Sequence, residues 1–232
     1  MPFISVSQSS TLRFNEVRAL LTEIRSRETI PPAPETEIVS TLRGLFFVNL
    51  YGAFEFSITE AVQTLLQEIT RACIPYSQFE PLFHAVALDG KFSAISDAGR
   101  KKKWKARREL LSQQVSATVC GLNDTAFHHD LQNIWFETLS MLFDALCIAE
   151  PVVPEARLRG YIDEVVDRRN AVAHGRESPA LIGRIRSTEL ELRLDAISQT
   201  ATHVILCFDK HLANRGFVTL TYRNPPFAAA PA

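Results

Sequence analysis

The chain has 232 residues, 46% of them hydrophobic, with 25 Lys and Arg, 26 Asp and Glu, and a formal net charge of −1. This length suits one large domain or a domain with an insertion, and the charge excludes a global field that would draw the whole protein to nucleic acid. The few glycines and the long, helix-periodic apolar runs predict an all-α fold.

Cysteine spacing and the N-terminus indicate where the protein resides. The four cysteines form no CxxC pair, which favours reduced thiols in a cytoplasm over a disulfide framework. Met1 to Ser5 lack a basic region and a long apolar core, so we expect no signal peptide. The most apolar run, Leu45 to Phe56, contains polar residues and is too short to span a bilayer. We therefore expect a cytoplasmic protein without a membrane segment.

Two helices are predicted before residue 75. Ser9 or Ser10 is a candidate cap for a first helix that ends near Thr29, where a run of prolines follows. Thr36 is the candidate N-cap of the longest helix, from Glu37 to about Cys73. Its middle is apolar on nearly all sides, which is typical of a central helix covered on most faces.

Asn49, Tyr51 and Glu55 are the polar exceptions inside this central helix. Tyr51 and Glu55 are four residues apart and therefore neighbours on one face. One interpretation is a core hydrogen-bond pair, because buried polar groups are normally satisfied. In the other, Glu55 or Asn49 faces a functional site elsewhere in the fold, with Tyr51 as an accessory residue.

A strongly basic segment follows a shorter helix or helix pair over residues 75–97, which Pro81 and Gly90 are expected to break. Seven of the nine residues 100–108 are basic, and a tryptophan lies among them. The segment is either a solvated face or an RNA-phosphate patch in which the indole stacks on a base. The candidate RNA-binding residues are Arg100, Lys101, Lys102, Lys103, Trp104, Lys105, Arg107 and Arg108.

The remaining histidines do not favour a metal site. His128 and His129 precede a helix predicted from about His129 to Ile148, with Asp130 as its N-cap, and no further ligand lies at metal-binding spacing. His203, Cys207 and His211 share a line on a last helix, Thr188 to Asn214, but lack a fourth ligand. We predict no metal and no cofactor. The tail after residue 217 is expected to hold one short strand.

The most informative stretch is a helix that ends in Arg169-Asn170-Ala171-Val172-Ala173-His174, followed by Gly175 as the predicted C′ residue. Arg169 lies within the apolar stripe, where an unpaired charge is costly, so it needs a partner, an interface or an anionic ligand. Asn170 lies one turn before His174 and can orient its ring, and imidazole exchanges protons near neutral pH. These three residues suit binding of a phosphodiester and proton transfer. An interfacial Arg with a capping His is the alternative.

This segment resembles the Arg-x(4–6)-His motif of the HEPN superfamily, with its favoured polar residue directly after the Arg. Residues 178–184 and 192–197 downstream, and 47–55 upstream, resemble bacterial HEPN proteins of the MAE and RiboL-PSP type. The resemblance covers roughly residues 36 to 214. It implies an all-helical, usually dimeric fold and a metal-independent endoribonuclease, often a toxin or phage-defence effector. Arg176 stands where some HEPN toxins carry a Tyr that their antitoxins nucleotidylate, so that form of control is not supported.

The sequence therefore predicts a HEPN-like helical bundle over residues 36–216, with a basic helical insertion at about 75–125. A helical arm, residues 1–30, precedes the bundle, and a tail, residues 217–232, follows it. The predicted activity is RNA cleavage by 2′-OH attack at a composite homodimer site, with Arg169, Asn170 and His174 as catalytic residues. An antitoxin or defence-system protein is an expected partner. The alternatives are a non-catalytic RNA- or nucleotide-binding module and a protein-interaction module in such a system.

Overall fold

The computed structural model describes residues 2–30, 32–97, 99 and 101–223. Within these ranges the regular elements are nine α-helices and three 3₁₀ turns, without a named strand, and this confirms the predicted all-α fold. The α-helices are α1 (Phe3–Ser26), α2 (Glu37–Arg71), α3 (His84–Ala87), α4 (Asp89–Asp97), α5 (Lys103–Gln114), α6 (Phe136–Ala145), α7 (Leu158–Ala173), α8 (Pro179–Ile182) and α9 (Ser187–Ala213).

The chain forms two compact units. The first unit comprises residues 1–61, 130–139 and 151–206, and the second comprises residues 62–129, 140–150 and 207–232. The predicted division into arm, domain and tail stays a prediction. Most of the predicted tail lies outside the described residues. The strand expected there is not formed up to residue 223, because Val218 makes one isolated bridge with Phe79 and a 3₁₀ turn follows.

Helix α1 begins at Phe3, so neither Ser9 nor Ser10 caps it. Ser10 instead lies on the buried face, 2.7 Å from the Ser57 hydroxyl of α2. Leu12 is 65% exposed and lies outside that buried face. The residues that α1 buries recur every three or four positions: Phe3, Val6, Ser10, Phe14, Val17, Leu21 and Ile24.

Helix α2 follows its predicted cap. The Val39 amide donates to Thr36 Oγ1 at 3.3 Å, and in the first unit the helix buries Phe46, Phe47 and Phe54 completely. By length and composition alone α2 could also cross a membrane, although 56% of its most apolar window is buried inside the protein. A buried core helix has the same properties, so the expected absence of a membrane segment stays a prediction.

Helix α2 meets α8 so closely that two glycines are required in the first unit. A Cβ on Gly44 would lie 2.0 Å from the Pro179 carbonyl oxygen, and one on Gly183 would lie 1.7 Å from that of Ser40. We expect Gly183→Ala to lower the free energy of unfolding by about 2 kcal/mol or more, because two backbones must separate. Urea unfolding measures this. Gly52→Ala is the control, because its Cβ meets nothing within 4 Å and a mid-helix Gly→Ala change stabilises by up to about 1 kcal/mol.

Two predicted helix boundaries were wrong. Helix α6 begins at Phe136 rather than His129, because the Phe136 amide donates to Asp163 Oδ1 of α7 at 3.0 Å. Its cap therefore comes from another helix, and the residues before it form a 3₁₀ turn, Asp130–Gln132, instead of a first helical turn. Gly90 does not break a helix, since it lies in the first turn of α4.

The second unit contains a buried histidine whose pKa is lowered. The exposed fraction of His211 is 6%, and its Nε2 has no hydrogen-bond partner among the described atoms. Burial lowers the pKa of His211 from 6.5 to about 4, although the Glu150 carboxylate opposes the shift.

No group of three His, Cys, Asp or Glu side chains in the described residues could hold a metal ion.

The lowered pKa of His211 predicts a stability loss in acid. The neutral imidazole is favoured in the folded state, so the stabilisation is complete above pH 6.5 and is lost as the pH falls towards 4. The full loss corresponds to roughly 3 kcal/mol. Urea unfolding between pH 4 and 8 should show a shallower pH dependence for His211→Asn than for the wild type. The exposed His129 gives the control, since His129→Asn should retain the wild-type dependence.

Candidate functional site

The segment Arg169 to His174 lies at the C-terminal end of helix α7, and its last residues are exposed to solvent. The helix is anchored by buried Leu158, Ile162, Val165 and Val166 and ends where the His174 amide donates to the Asn170 carbonyl at 3.0 Å. Gly175 follows with a φ of +66°, in the left-handed region that favours glycine. This confirms its predicted C′ position, and His174 is therefore the last residue of the helical turn, with its side chain exposed.

The guanidinium of Arg169 is held by four neighbouring groups of the first unit, and its side chain is 20% exposed. Its central carbon lies 4.2 Å from the centroid of the Tyr51 ring, and Nη2 lies 3.6 Å from Glu55 Oε2. Nη1 donates to Asn170 Oδ1 at 2.7 Å and to Asn133 Oδ1 at 3.4 Å. A charge on the apolar stripe of α7 is thus compensated by one carboxylate, two amides and an aromatic face.

Tyr51 is the platform beneath Arg169. Its hydroxyl donates to the Gln132 carbonyl at 3.1 Å and accepts from the Ile134 amide at 3.0 Å, and the residue is 1% exposed. Burial raises the pKa of Tyr51 to about 12. The hydroxyl is therefore committed to the backbone that carries Asn133. A hydrogen-bond pair of Tyr51 with Glu55, one of the two interpretations of the sequence, is not formed.

Removing the Tyr51 hydroxyl tests this arrangement. We expect Tyr51→Phe to destabilise the protein by about 1–3 kcal/mol, because the buried Ile134 amide loses its acceptor. Denaturant unfolding gives the magnitude. Tyr161→Phe is the matched control, since that hydroxyl makes no hydrogen bond with any residue the structure describes, and the ring keeps its cation–π contact with the Arg193 guanidinium. Equal stability of both variants with the wild type would contradict the role given to the Tyr51 hydroxyl.

Glu55 is the acidic neighbour of Arg169, and Asn49 is not part of this cluster. The Glu55 side chain is 33% exposed, and burial raises its carboxyl pKa while Arg169 opposes the rise. Asn49 is exposed and donates to the Leu45 carbonyl at 3.2 Å; it lines a separate recess with Arg13 of α1. The structure therefore brings Glu55 to Arg169 and leaves Asn49 elsewhere.

His174 has a different environment from Arg169, five residues earlier on the same helix. Its imidazole makes no hydrogen bond or ion pair within the part of the chain that the structure describes, and it is open to solvent. Asn170 was expected to orient it, but the Asn170 amide oxygen accepts from Arg169 instead. The neighbouring Arg176 pairs with Asp167 at 2.7 Å. The site thus combines an anchored cation with an imidazole that is accessible to a ligand.

The basic segment belongs to the second unit. Arg100 lies outside the described residues, Lys101 and Lys102 form a turn, and the other candidates are on α5. The indole of Trp104 is 72% exposed, with the Arg107 guanidinium carbon 5.1 Å from its ring centroid. This contact keeps the Arg107 guanidinium beside the exposed indole.

Asn133 is the residue of the Arg169 cluster that sequence reasoning missed. It was assigned to a helical turn, where its side chain had no special role. It lies instead in the irregular segment between the 3₁₀ turn and α6, and the Tyr51 hydroxyl holds that segment. A polar residue in the short interval between Leu131 and Ile134 was the only available signal, and that signal is weak.

Comparison with known protein families identifies a relationship that covers most of the chain. A family model described as RiboL-PSP-HEPN matches residues 9–214, which include α2, α7, α9 and every residue of the Arg169 cluster. The match begins inside α1, so it extends further towards the N-terminus than the resemblance seen in the sequence. No curated protein and no solved structure matches the chain.

Proposed function

The chain belongs to the RiboL-PSP-HEPN family, and on this premise we propose that it is an endoribonuclease whose reaction centre lies at the C-terminal end of α7. The observation that carries the proposal is the pairing, on one helix, of an anchored Arg169 with a solvent-accessible His174. A guanidinium suits phosphate oxygens because its donors form a fixed fork. An accessible imidazole suits proton transfer near neutral pH.

RNA supplies its own nucleophile, so the protein has few chemical tasks. In the proposed reaction His174 takes the proton of the 2′-OH while the 2′-oxygen bonds to phosphorus. The bond from phosphorus to the 5′-oxygen breaks, and that oxygen receives a proton. Arg169 binds the non-bridging oxygens, whose negative charge grows in the transition state. The products are a 2′,3′-cyclic phosphate and a 5′-hydroxyl, and no atom from a metal or cofactor is required.

A homodimer completes the proposed site. One imidazole cannot readily act at both the 2′-oxygen and the 5′-oxygen in the same step. A two-fold axis near the end of α7 would bring a second copy of His174 to the leaving oxygen, because a C₂ interface presents the same patch twice. The exposed residues Ala173 to Arg176 are compatible with such an approach.

In the cell we propose a cytoplasmic toxin or phage-defence effector, restrained by an antitoxin or released by a trigger. Induction from a tightly controlled promoter should arrest growth if the resting protein is active. Arrest by the wild type but not by His174→Ala would support this role, and the state of total RNA should change in parallel. Normal growth with intact RNA would contradict a toxin that acts without a trigger.

Three oligonucleotide substrates test the chemistry directly. The purified protein is incubated in EDTA with an RNA, with the same RNA carrying a single 2′-deoxy nucleotide at the mapped cleavage position, and with the all-DNA analogue. We expect cleavage of the first alone, with products ending in a 2′,3′-cyclic phosphate. Cleavage at the 2′-deoxy position, or activity that EDTA abolishes, would contradict the mechanism.

A non-catalytic RNA- or nucleotide-binding module is the second candidate. Glu55 favours it, because the Glu55 carboxylate already lies 3.6 Å from the Arg169 guanidinium. An anion must then displace or share that contact, which suits a binding site whose affinity is regulated. Binding of the intact RNA without any cleavage, across substrates and pH values, would favour this candidate.

A further inference from the structure

Positive charge in the second unit is concentrated on α5 and the residues just before it, whereas α4 carries Lys91 together with Asp89 and Asp97. Residues 91–109 contain eight Lys or Arg and two acidic residues; they contribute +6 to a chain whose net charge is −1, so the rest of the chain carries −7. The seven described cations of this segment are all exposed. Within the described residues, the one ion pair that they make is Lys105 with Glu109, at 3.9 Å. The other six are available to an anionic ligand.

A recess of about 680 Å³ lies within this basic surface. Lys91 of α4 lines it, and α5 contributes Trp104, Lys105, Arg108 and the Glu109 carboxylate together with the polar side chains of Ser112 and Gln113. The recess therefore combines an aromatic ring, two cations (Lys91 and Arg108) that have no ion-pair partner among the described residues, the Lys105–Glu109 pair at 3.9 Å, and groups able to form hydrogen bonds. Its volume is sufficient for one nucleotide.

The two helices contribute little to the core of their unit. Helix α4 has no buried residue, and α5 buries Leu110 alone. A merely solvated helix pair has no need of a tryptophan that is 72% exposed, since such apolar surface is costly in water. An aromatic ring flanked by cations is instead the combination that binds single-stranded nucleic acid, because the ring stacks on a base while the cations hold phosphates.

We infer that the α4–α5 recess binds a nucleotide of single-stranded RNA, with the base stacked on Trp104 and the adjoining phosphates on Lys91 and Arg108. The choice of RNA among polyanions rests on the proposed ribonuclease function. Duplex RNA fits poorly, because its bases are stacked and paired inside the helix. An acidic peptide would use the cations but has no base to stack on the exposed part of the indole.

Binding of labelled oligonucleotides tests the inference. A fluorescein-labelled 12-nucleotide oligo(U) is titrated into His174→Ala protein, which prevents turnover, and fluorescence anisotropy is followed at several salt concentrations. We expect Trp104→Ala to weaken binding by roughly 5- to 150-fold, and Trp104→Phe to retain most of the affinity. The double substitution of Lys91→Ala and Arg108→Ala should make the plot of the logarithm of the association constant against the logarithm of the salt concentration shallower, by about 1.4 in slope. Arg71→Ala, an exposed Arg on α2, is the matched charge control.

Several outcomes would overturn the inference. Unchanged oligo(U) affinity in Trp104→Ala, or equal affinity for a 12-base-pair duplex RNA, excludes a stacking site. A loss on replacing Lys91 and Arg108 without a loss on replacing Trp104 indicates a general basic surface, such as one for an acidic protein. Trp104-dependent binding by a wild-type protein that cleaves nothing refutes the ribonuclease proposal and supports the recess. RNA cleavage by a wild-type protein whose oligo(U) binding does not depend on Trp104 supports the ribonuclease proposal and refutes the recess.

Discussion

Replacing His174 by alanine should lower RNA cleavage by roughly 10²- to 10⁴-fold, the usual contribution of a positioned general acid or base. RNA affinity should change little, because an imidazole at an exposed helix end contributes less to phosphate binding than the anchored guanidinium of Arg169. Single-turnover cleavage at saturating protein gives the chemical step, and anisotropy with an uncleavable 2′-deoxy substrate gives the affinity. This split between rate and affinity distinguishes a catalyst from a binding module.

The protein offers a matched control for this substitution. His129 is also exposed and lies in the turn before α6, so His129→Ala removes an imidazole without affecting α7. It should cleave RNA like the wild type. If His174→Ala retained full activity, a different group would have to move the protons, and the reaction centre would not lie at this helix end. If affinity fell in parallel with rate, His174 would act mainly as a ligand-binding residue.

The sequence predicted the long helices well because their local signals agree with the fold. Three signals each act within one turn of the residues concerned: the Thr36 cap, the proline-free apolar run of α2 and the glycine after α7. Such short-range interactions can be inferred without knowing what packs on the helix. The all-α fold and the positions of α2, α7 and α9 depend on them.

The parts that were predicted wrongly depend on contacts between distant residues. The start of α6 is set by Asp163, 27 positions later, and the segment before it is held by Tyr51, about 80 positions earlier. Ser10 looked like a helix cap because serine favours that position, but its contact with Ser57 places it inside a helix–helix interface. No local pattern carries this information.

In the candidate site, too, the features set by local sequence could be predicted and those set by distant contacts could not. The presence of Arg169 and His174 on one helix end follows from spacing, whereas the partners of Arg169 do not. Sequence reasoning left Asn49 and Glu55 equally able to face the motif, and the fold brings only Glu55 to the guanidinium. Asn170 illustrates a different limit, because it could reach either neighbour and it pairs with Arg169.

Arg169 provides the second large effect. We expect Arg169→Lys to lower the rate of cleavage by roughly 10²- to 10³-fold, comparable to the loss of one preorganised donor to a developing oxyanion. A lysine keeps the charge but cannot donate to the Asn170 and Asn133 oxygens with one nitrogen while presenting a second towards phosphate, as the guanidinium can. Arg168→Lys is the control, since Arg168 is the adjacent residue and pairs with Glu164 at 2.8 Å. Its cleavage rate should remain near that of the wild type.

Substitution of Glu55 tests how Arg169 contributes to RNA binding and cleavage. If the Glu55 carboxylate competes with phosphate for Arg169 Nη2, Glu55→Gln should lower KM for RNA and leave kcat nearly unchanged, because the amide cannot neutralise the guanidinium. If Glu55 instead accepts a proton during the reaction, kcat should fall and the acidic limb of its pH profile should change. Either effect of Glu55→Gln should be smaller when it is measured in the Arg169→Lys background, since the Glu55 carboxylate then has no guanidinium to pair with. Equal kcat and KM in the wild type, Glu55→Gln and Arg169→Lys would place the phosphate-binding residue outside this cluster.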